Sequence, residues 1–262
     1  MAASRRSGSP RSPSVSTPPG YACLVFDYRY FGASGGEPRE LLSVRRQLED
    51  WRAAVSYART VEGVDPARVV LWGTSFAGGH VIRTAADDPR IAAAIAQCPF
   101  TDGIASAAAL DPVASLRMAP RVVRDLVAAL RDRPPVRVPA YGDPGEVALM
   151  TAPDVAPGVR ALIASAGIEE PPHHVPARIA LEIPRYRPGR RAKDVRCPIL
   201  FCVCDRDTVA PARATLRHAR RAPQAEIRRY DHGHFTIYSG DAFEEVVADQ
   251  LAFLAAKVPL GN

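Results

Sequence analysis

The sequence contains, in this order, a serine, an aspartate and a histidine that together could activate a hydroxyl group for attack on an acyl carbon. Ser75 lies within the run GTSFAG at positions 73–78; aspartates at 205 and 207 and histidines at 232 and 234 follow later apolar runs, with Asp207 and His234 as the candidates. A serine hydroxyl is a poor nucleophile until a base takes its proton, and a histidine oriented by an acid can serve as that base. The three residue types therefore indicate acyl chemistry through an acyl-serine intermediate.

Each of the three residues follows a predicted β-strand. Val69–Trp72 is apolar and rich in β-branched and aromatic side chains, which is typical of a strand covered on both faces. The strands predicted before Asp207 and His234 are Pro198–Cys204 and Glu226–Tyr230. Open parallel sheets place their sites beyond the carboxyl ends of the strands, so we expect the three side chains to meet there.

The turn that carries Ser75 is built from small residues. Gly73 and Ala77 are small enough to let the chain turn sharply between the strand and a following helix. Such a turn holds its serine in a strained conformation with Oγ above the sheet. The alternative is that Ser75 only caps the helix after a glycine. We favour the strained turn because small residues stand on both sides of the serine.

Alternating strands and helices predict an α/β fold with a mostly parallel sheet flanked by helices. Besides the strands above, the predicted elements are helices at 39–60, 76–86, 211–221 and 241–257 and strands at 21–28 and 91–97. The alternation stops at Pro99 and resumes at Cys197, with helical patches at 103–109, 119–130 and 159–166 between proline-rich connections. We interpret this segment as an inserted, mainly helical cap. Its His173 and His174 are interpreted as surface or packing residues.

Four motifs resemble those of the α/β-hydrolase fold superfamily, and specifically of its serine esterases and dienelactone-hydrolase-like enzymes. They correspond to the loop after the family's fourth strand, the nucleophile elbow, the acid loop and the histidine loop, at Asp27–Gly35, Gly73–Gly78, Asp207–Pro211 and Gly233–Phe235. Each motif alone is a weak signal, whereas four in the family's order are a strong one. The resemblance extends over residues 21–260 and implies this fold and a serine hydrolase activity.

The resemblance implies a role for each site residue. Ser75 is the nucleophile, His234 the general base, and Asp207 the acid that orients the imidazole and stabilises its charged form. The backbone N–H of Phe76, directly after the nucleophile, is one donor of the oxyanion hole. No metal ion or organic cofactor is implied.

Two of these positions have rivals nearby. The family's acid usually lies four residues before a proline, which favours Asp207 over Asp205 because of its spacing to Pro211. His232 is the rival of His234, which fits the family's histidine loop better.

The predicted domain organisation has three parts. Residues 1–20 are rich in serine, proline and arginine without an acid, which predicts a disordered leader. Residues 21–98 and 196–262 form the α/β-hydrolase core, and residues 99–195 form the cap.

One departure from the family's pattern concerns the start of the core. In the family, three strands and a loop that supplies the second oxyanion donor come before the strand predicted at Tyr21–Tyr28. The hypothesis is therefore an N-terminally incomplete hydrolase. Because the third strand normally lies between the fourth and the fifth, we expect either a groove beside Tyr21–Tyr28 or its direct pairing with Val69–Trp72.

Composition excludes several other classes of protein. The net charge of +6 comes almost wholly from arginines scattered among acids, without the basic stripe or binding module of a nucleic-acid-binding protein. There is no run of about 18 apolar residues that could span a membrane. None of the five cysteines has a metal-site spacing. Cys202 and Cys204 are interpreted as core thiols, and Cys23 and Cys98 also lie in apolar runs, which fits a reduced, cytoplasmic protein.

The sequence thus predicts a serine hydrolase that cleaves a carboxylic ester or related acyl bond of a small-molecule acyl substrate, with no nucleic-acid or membrane partner. The alternative is a catalytically impaired remnant of the fold with a binding role or none. The oligomeric state is left open.

Overall fold

The computed structural model describes residues 20–108 and 112–260. The leader predicted at 1–20 lies outside the described residues apart from Gly20. No helix in the described part of the chain combines the length and the apolar character needed to cross a membrane.

A four-stranded parallel sheet forms the centre of the fold. The strands of the described residues are, in chain order, Val70–Thr74 (β1), Ala93–Gln97 (β2), Arg137–Pro139 (β3), His174–Pro176 (β4), Ile199–Cys204 (β5) and Ala225–Tyr230 (β6). The central sheet has the order β1–β2–β5–β6 with every neighbouring pair parallel, and β3 and β4 form a separate antiparallel pair. Every residue of β2 and β5 is buried, as their continuous apolar sequences predict.

Helices cover both faces of this sheet. The α-helices of the described residues are Val44–Ala58 (α1), Ser75–Asp87 (α2), Gly103–Ala108 (α3), Pro112–Leu130 (α4), Val155–Ala166 (α5), Ile179–Glu182 (α6), Ala212–Ala219 (α7) and Gly240–Lys257 (α8). Phe201 of β5 packs in one apolar cluster with Trp51 of α1, whereas Leu200 packs in another with Val246 and Phe253 of α8. Because neighbouring strand residues point to opposite faces, one strand contributes to both clusters. The predicted α/β fold is thus confirmed.

Helix α1 begins later than the sequence predicted. The apolar spacing predicted a start near Arg39, but the helix begins at Val44. Glu40 has a φ of 55°, which is incompatible with the right-handed helical region, so no α-helix can continue through it.

The prediction of a strand at Tyr21–Tyr28 was wrong. These residues belong to no strand, and β1 pairs only with β2 among the described residues. Val25 is 85% exposed, while Phe26 and Tyr28 are partly buried against the cluster that contains Trp51. An apolar run becomes a strand only where a neighbour supplies backbone hydrogen bonds, and direct pairing with β1 does not form.

Four of the five cysteines are buried. Cys202 and Cys204 both lie in the cluster that faces α8, as the alternation in β5 predicts, and Cys98 and Cys197 are also buried. Cys23 is exposed, because Tyr21–Tyr28 is not enclosed in the sheet as expected.

The predicted cap segment, between β2 and β5, contains α3 to α6 and the β3–β4 pair. Its centre is organised by Asp125 of α4, which is fully buried. Asp125 accepts hydrogen bonds from the Val136 backbone N–H at 2.9 Å and from Arg178 Nε at 2.7 Å. Charge pairing and multiple hydrogen bonds offset the cost of burying this carboxylate.

Two acidic residues join the cap to the core. Glu182, at the end of α6, accepts a hydrogen bond from the backbone N–H of Val44, the first residue of α1, at 2.9 Å. Asp102, buried before α3, pairs with Arg187 at 3.2 Å and with Arg217 of α7 at 2.9 Å. The predicted cap segment is therefore joined to α1 through Glu182 and to α7 through Asp102.

Candidate active site

Ser75 lies at the sharp turn between β1 and α2. Its φ of 55° is in the left-handed region, which is unfavourable for a residue with a Cβ. The neighbouring residues must be small because other atoms of the protein lie very close to their Cα atoms. A Cβ on Gly73 would lie 2.7 Å from the Ala77 carbonyl oxygen, and a Cβ on Gly78 would lie 2.9 Å from Pro99 Cα. The turn therefore has the geometry that the sequence predicted.

His234 follows β6 and reaches the Ser75 hydroxyl. Its Nε2 lies 3.0 Å from Ser75 Oγ, and the residue is only 3% exposed. This is hydrogen-bond distance, so the imidazole can accept the hydroxyl proton directly. His232, the rival in the sequence, is instead partly exposed and lies 3.6 Å from Glu245.

Asp207 follows β5 and lies behind His234. Its Oδ2 is 2.7 Å from His234 Nδ1, and its Oδ1 accepts the backbone N–H groups of Val209 at 2.8 Å and Ala210 at 2.6 Å. Since a carboxylate only accepts, the single hydrogen of the neutral ring lies on Nδ1, and Nε2 is then free to accept from Ser75. Asp205 points elsewhere and pairs with Arg229 at 3.0 Å.

Electrostatics at His234 favour its charged form. Burial works to lower the pKa of the imidazole, but the Cys98 and Asp207 side chains outweigh burial and raise the pKa above the usual histidine value. The thiol of Cys98 lies 3.3 Å from the hydroxyl of Tyr238, whose ring is 6.4 Å from that of His234. A positive charge that forms on His234 is therefore stabilised by its surroundings.

Cys98, Asp207 and His234 also offer metal-ligand atoms that lie within 4.8 Å of one another. Both nitrogens of His234 are already engaged, one with Asp207 and one with Ser75. This arrangement fits proton transfer better than metal binding, because a metal ion would have to displace one of these bonds.

Phe76 is the second residue of α2, and its backbone N–H belongs to the first turn, where such groups have no acceptor within the helix. Its ring packs against those of His80, Phe100 and Tyr186, with centroids 5.0–5.5 Å away. These contacts fix the backbone directly after Ser75.

A cavity of about 280 Å³ opens beside Ser75. Core and cap residues both contribute to its mainly apolar lining, which includes Leu42, Phe76, Phe100, Leu149, Val155 and Ile183. A mainly apolar cavity next to a nucleophile is suited to hold the apolar part of a small molecule.

The histidines of the cap lie apart from these groups. His173 pairs with Glu170 at 3.1 Å, and its ring is 4.5 Å from that of His174 and 4.7 Å from that of Tyr141. These contacts agree with the interpretation of both histidines as packing or surface residues.

Sequence reasoning did not identify a buried polar chain near the cavity. His80 Nδ1 lies 2.8 Å from the Tyr186 hydroxyl, and His80 Nε2 lies 2.9 Å from Gln47 Oε1. A signal was present, because Gln47 falls between Val44 and Trp51 on the apolar face of α1. A polar residue on a buried helical face usually has a specific partner.

Comparison with known proteins gives concordant matches. A family model described as "Alpha/beta hydrolase family" matches residues 12–249. A quorum-quenching protein of Acinetobacter baumannii, AidA, is 52% identical over 92% of this chain and 79% of its own length. A thiohydrolase of Aspergillus aculeatus, aneE, is 27% identical over 90% of this chain and 76% of its own length.

Solved structures agree in fold. The crystal structure of the alpha/beta hydrolase GrgF from a Penicillium species matches with a TM-score of 0.74 and 23% identity, covering 90% of this chain and 79% of that one. At this identity the match supports the architecture and not a particular substrate.

Proposed function

The chain belongs to the alpha/beta hydrolase family and is an enzyme of that type, and we propose that it is a serine hydrolase that cleaves a carboxylic ester or a related acyl bond. The observation that supports this proposal most directly is the continuous hydrogen-bond arrangement of Ser75, His234 and Asp207, with distances of 3.0 and 2.7 Å. The strained backbone at Ser75 adds to it.

The first half of the proposed reaction forms an acyl-enzyme. His234 Nε2 takes the proton of Ser75 Oγ as the oxygen attacks the acyl carbon, and the carbonyl oxygen becomes an oxyanion. The backbone N–H of Phe76 donates a hydrogen bond to that oxyanion. The protonated His234 then gives its proton to the leaving oxygen or sulfur as the bond to the acyl carbon breaks.

The second half releases the product acid. His234 takes a proton from a water molecule, whose oxygen attacks the acyl-serine, and then returns the proton to Ser75 Oγ. Asp207 remains a carboxylate throughout and stabilises the imidazolium that forms twice in each cycle. The apolar cavity would hold the chain of a small-molecule acyl substrate, and neither a metal ion nor an organic cofactor takes part in these steps.

The proposal is tested by covalent labelling and turnover together. A fluorophosphonate probe should label Ser75 of the folded protein, and Ser75→Ala should abolish both labelling and hydrolysis of p-nitrophenyl esters, by roughly 10⁴-fold or more. Acyl thioesters belong in the same panel because the Aspergillus relative is named a thiohydrolase. Ser106→Ala, which changes another serine of the cavity lining, is the control and should keep the label.

A non-catalytic protein with a binding role is the second candidate. It is favoured by one observation, the outer edge of β1, which has no strand partner among the described residues. A folded preparation in which neither the wild-type chain nor Ser75→Ala reacts with the probe would support this candidate and contradict the hydrolase proposal.

A further inference from the structure

One wall of the cavity carries a polar side chain that the proposed hydrolysis does not use. Gln47 of α1 lines the cavity together with Ser75 and Phe76, and it is only 5% exposed. Its Oε1 is occupied by His80, whereas its Nε2 has no hydrogen-bond partner in the described part of the protein. An amide nitrogen that faces a cavity and has no protein partner is available to donate a hydrogen bond to a bound ligand or to water.

The neighbouring hydrogen bonds determine which amide atom faces the cavity. Burial lowers the pKa of His80 to about 3, so the ring is neutral and carries one N–H. If the Tyr186 hydroxyl donates to His80 Nδ1, His80 Nε2–H must donate to Gln47 Oε1. The reverse direction would leave the buried Tyr186 hydrogen without an acceptor among the described residues. The Gln47 NH₂ group is therefore turned away from His80.

We propose that Gln47 determines specificity by donating a hydrogen bond to an oxygen atom on the acyl chain of the substrate. The inference rests on the proposed function and narrows the substrate class to apolar acyl chains that carry a carbonyl or similar oxygen. The apolar lining holds the chain, and the oxygen satisfies the free Nε2. A site built around a buried donor discriminates against a ligand that lacks the acceptor, because the donor then stays unpaired.

The amide of Gln47 has a well-defined position because the residue lies on helix α1. Gln47 lies in the first turns of α1, whose first N–H is held by Glu182, and its amide is oriented by the His80 ring. His80 is fully buried and in turn contacts the ring of Phe76, the residue after the nucleophile, at 5.0 Å. The donor and the nucleophile thus belong to one rigid packed unit.

Turnover of esters that carry an additional carbonyl oxygen at different positions of the acyl chain tests the proposal. The panel is p-nitrophenyl octanoate and the matched 4-, 5-, 6- and 7-oxo-octanoates, and the readout is the ratio of kcat/KM for each oxo ester to that for the plain ester. The wild type should prefer at least one oxo ester by about tenfold, and Gln47→Met should bring that ratio close to one. Leu149→Met, which alters an apolar position of the same cavity, should keep the wild-type ratio.

The proposal is overturned if the wild type prefers none of the oxo esters, or if Gln47→Met keeps the preference. Tyr186→Phe adds a second variant that leaves Gln47 in place but removes the hydroxyl that fixes His80. It should reduce the same ratio by a smaller factor, because only the orientation of the donor is lost. An unchanged ratio in Tyr186→Phe would contradict the positioning part of the inference.

A binding measurement separates this inference from the proposed function. Calorimetric titration of Ser75→Ala with octanoate and with the oxo-octanoates needs no turnover. At least one oxo acid should bind about tenfold more tightly than octanoate, and Gln47→Met in the same background should remove the difference. Equal binding of all the acids overturns the inference even if esters are hydrolysed. Selective binding without any labelling or hydrolysis by the wild type overturns the proposed function alone.

Discussion

Two buried histidines lie close to the start of α2, and their surroundings give them opposite properties. His234 lies between a carboxylate and a hydroxyl, and its pKa is raised. His80 lies between a hydroxyl and an amide, and burial lowers its pKa to about 3. Both rings are at most 3% exposed. Burial favours a neutral imidazole in both residues, and at His234 the Cys98 and Asp207 side chains outweigh burial and make the ring basic.

Removal of the Asp207 carboxylate, which is hydrogen-bonded to His234, should have the largest effect on activity. We expect Asp207→Asn to lower kcat by roughly 10³–10⁴-fold, because the asparagine can hold the wrong imidazole tautomer and cannot stabilise the imidazolium. Asp205→Asn should leave kcat within a few-fold, since Asp205 pairs with Arg229 at the surface. Steady-state kinetics of the two variants test this, and an equal loss in both would contradict the assignment of Asp207.

The pH profile provides a separate test of the same pair. The base must be neutral at Nε2, so activity rises as pH increases through the pKa of His234. Because the pKa of His234 is raised partly by Asp207, removal of the carboxylate should move the midpoint of the kcat/KM profile of Asp207→Asn to lower pH than that of the wild type. A midpoint at the same or higher pH would show that Asp207 does not raise the pKa.

Substitution of His80, the neutral histidine, should lower the free energy of unfolding. His80→Leu leaves the Tyr186 hydroxyl and Gln47 Oε1 without their buried partner, and we expect a loss of about 2–4 kcal/mol in the free energy of unfolding. Urea unfolding measures this loss. His173→Leu, on the partly exposed side of the cap, is the matched control and should cost less than about 1 kcal/mol.

The pH dependence of the free energy of unfolding tests whether His80 is neutral in the folded protein. Its folded pKa lies below its ordinary value of 6.5, so the unfolded chain binds the additional proton as pH falls from 6.5 towards 3. The contribution to stability is complete above pH 6.5 and is lost across that window. His80→Leu should therefore show a shallower loss of stability in this range than the wild type, and an identical slope would contradict a neutral His80.

The smallest effect is expected for a change at Tyr186, the last residue of the hydrogen-bonded series Gln47, His80 and Tyr186. Tyr186→Phe removes one buried hydroxyl while the ring keeps its contacts with Phe76 and Phe100. We expect a loss of about 1 kcal/mol in stability and an unchanged pH profile of activity, measured by urea unfolding and by kcat/KM. A shift in the pH profile would mean that the two histidines are coupled.

Much of the core could be predicted from the sequence. The continuous apolar runs of β2 and β5 predicted buried strands, and the small residues around Ser75 favoured a strained turn over a helix cap; the structure agrees with both predictions. The spacing of Asp207 to Pro211 separated it from Asp205, which differs from it by only two positions. The structure brings Asp207 and not Asp205 to His234.

Other parts of the structure could not be predicted, because they depend on contacts with residues that are distant in the sequence. Tyr21–Tyr28 has the composition of a strand but no neighbour to pair with. The chain from Gln47 through His80 to Tyr186 joins residues up to 139 positions apart, since Tyr186 is 106 positions from His80 and His80 is 33 from Gln47. Such pairings become visible only once the cap is placed on the core.

The bond between Glu182 and the first N–H of α1 makes the cap part of the folding energetics of that helix. A cap that moved away would leave the first turn of α1 without its carboxylate and would remove a favourable charge from the positive end of the helix dipole. The amide of Val44 would then exchange with solvent faster whenever the cap opened. Hydrogen exchange at this single position can therefore report on access to the cavity without any ligand being present.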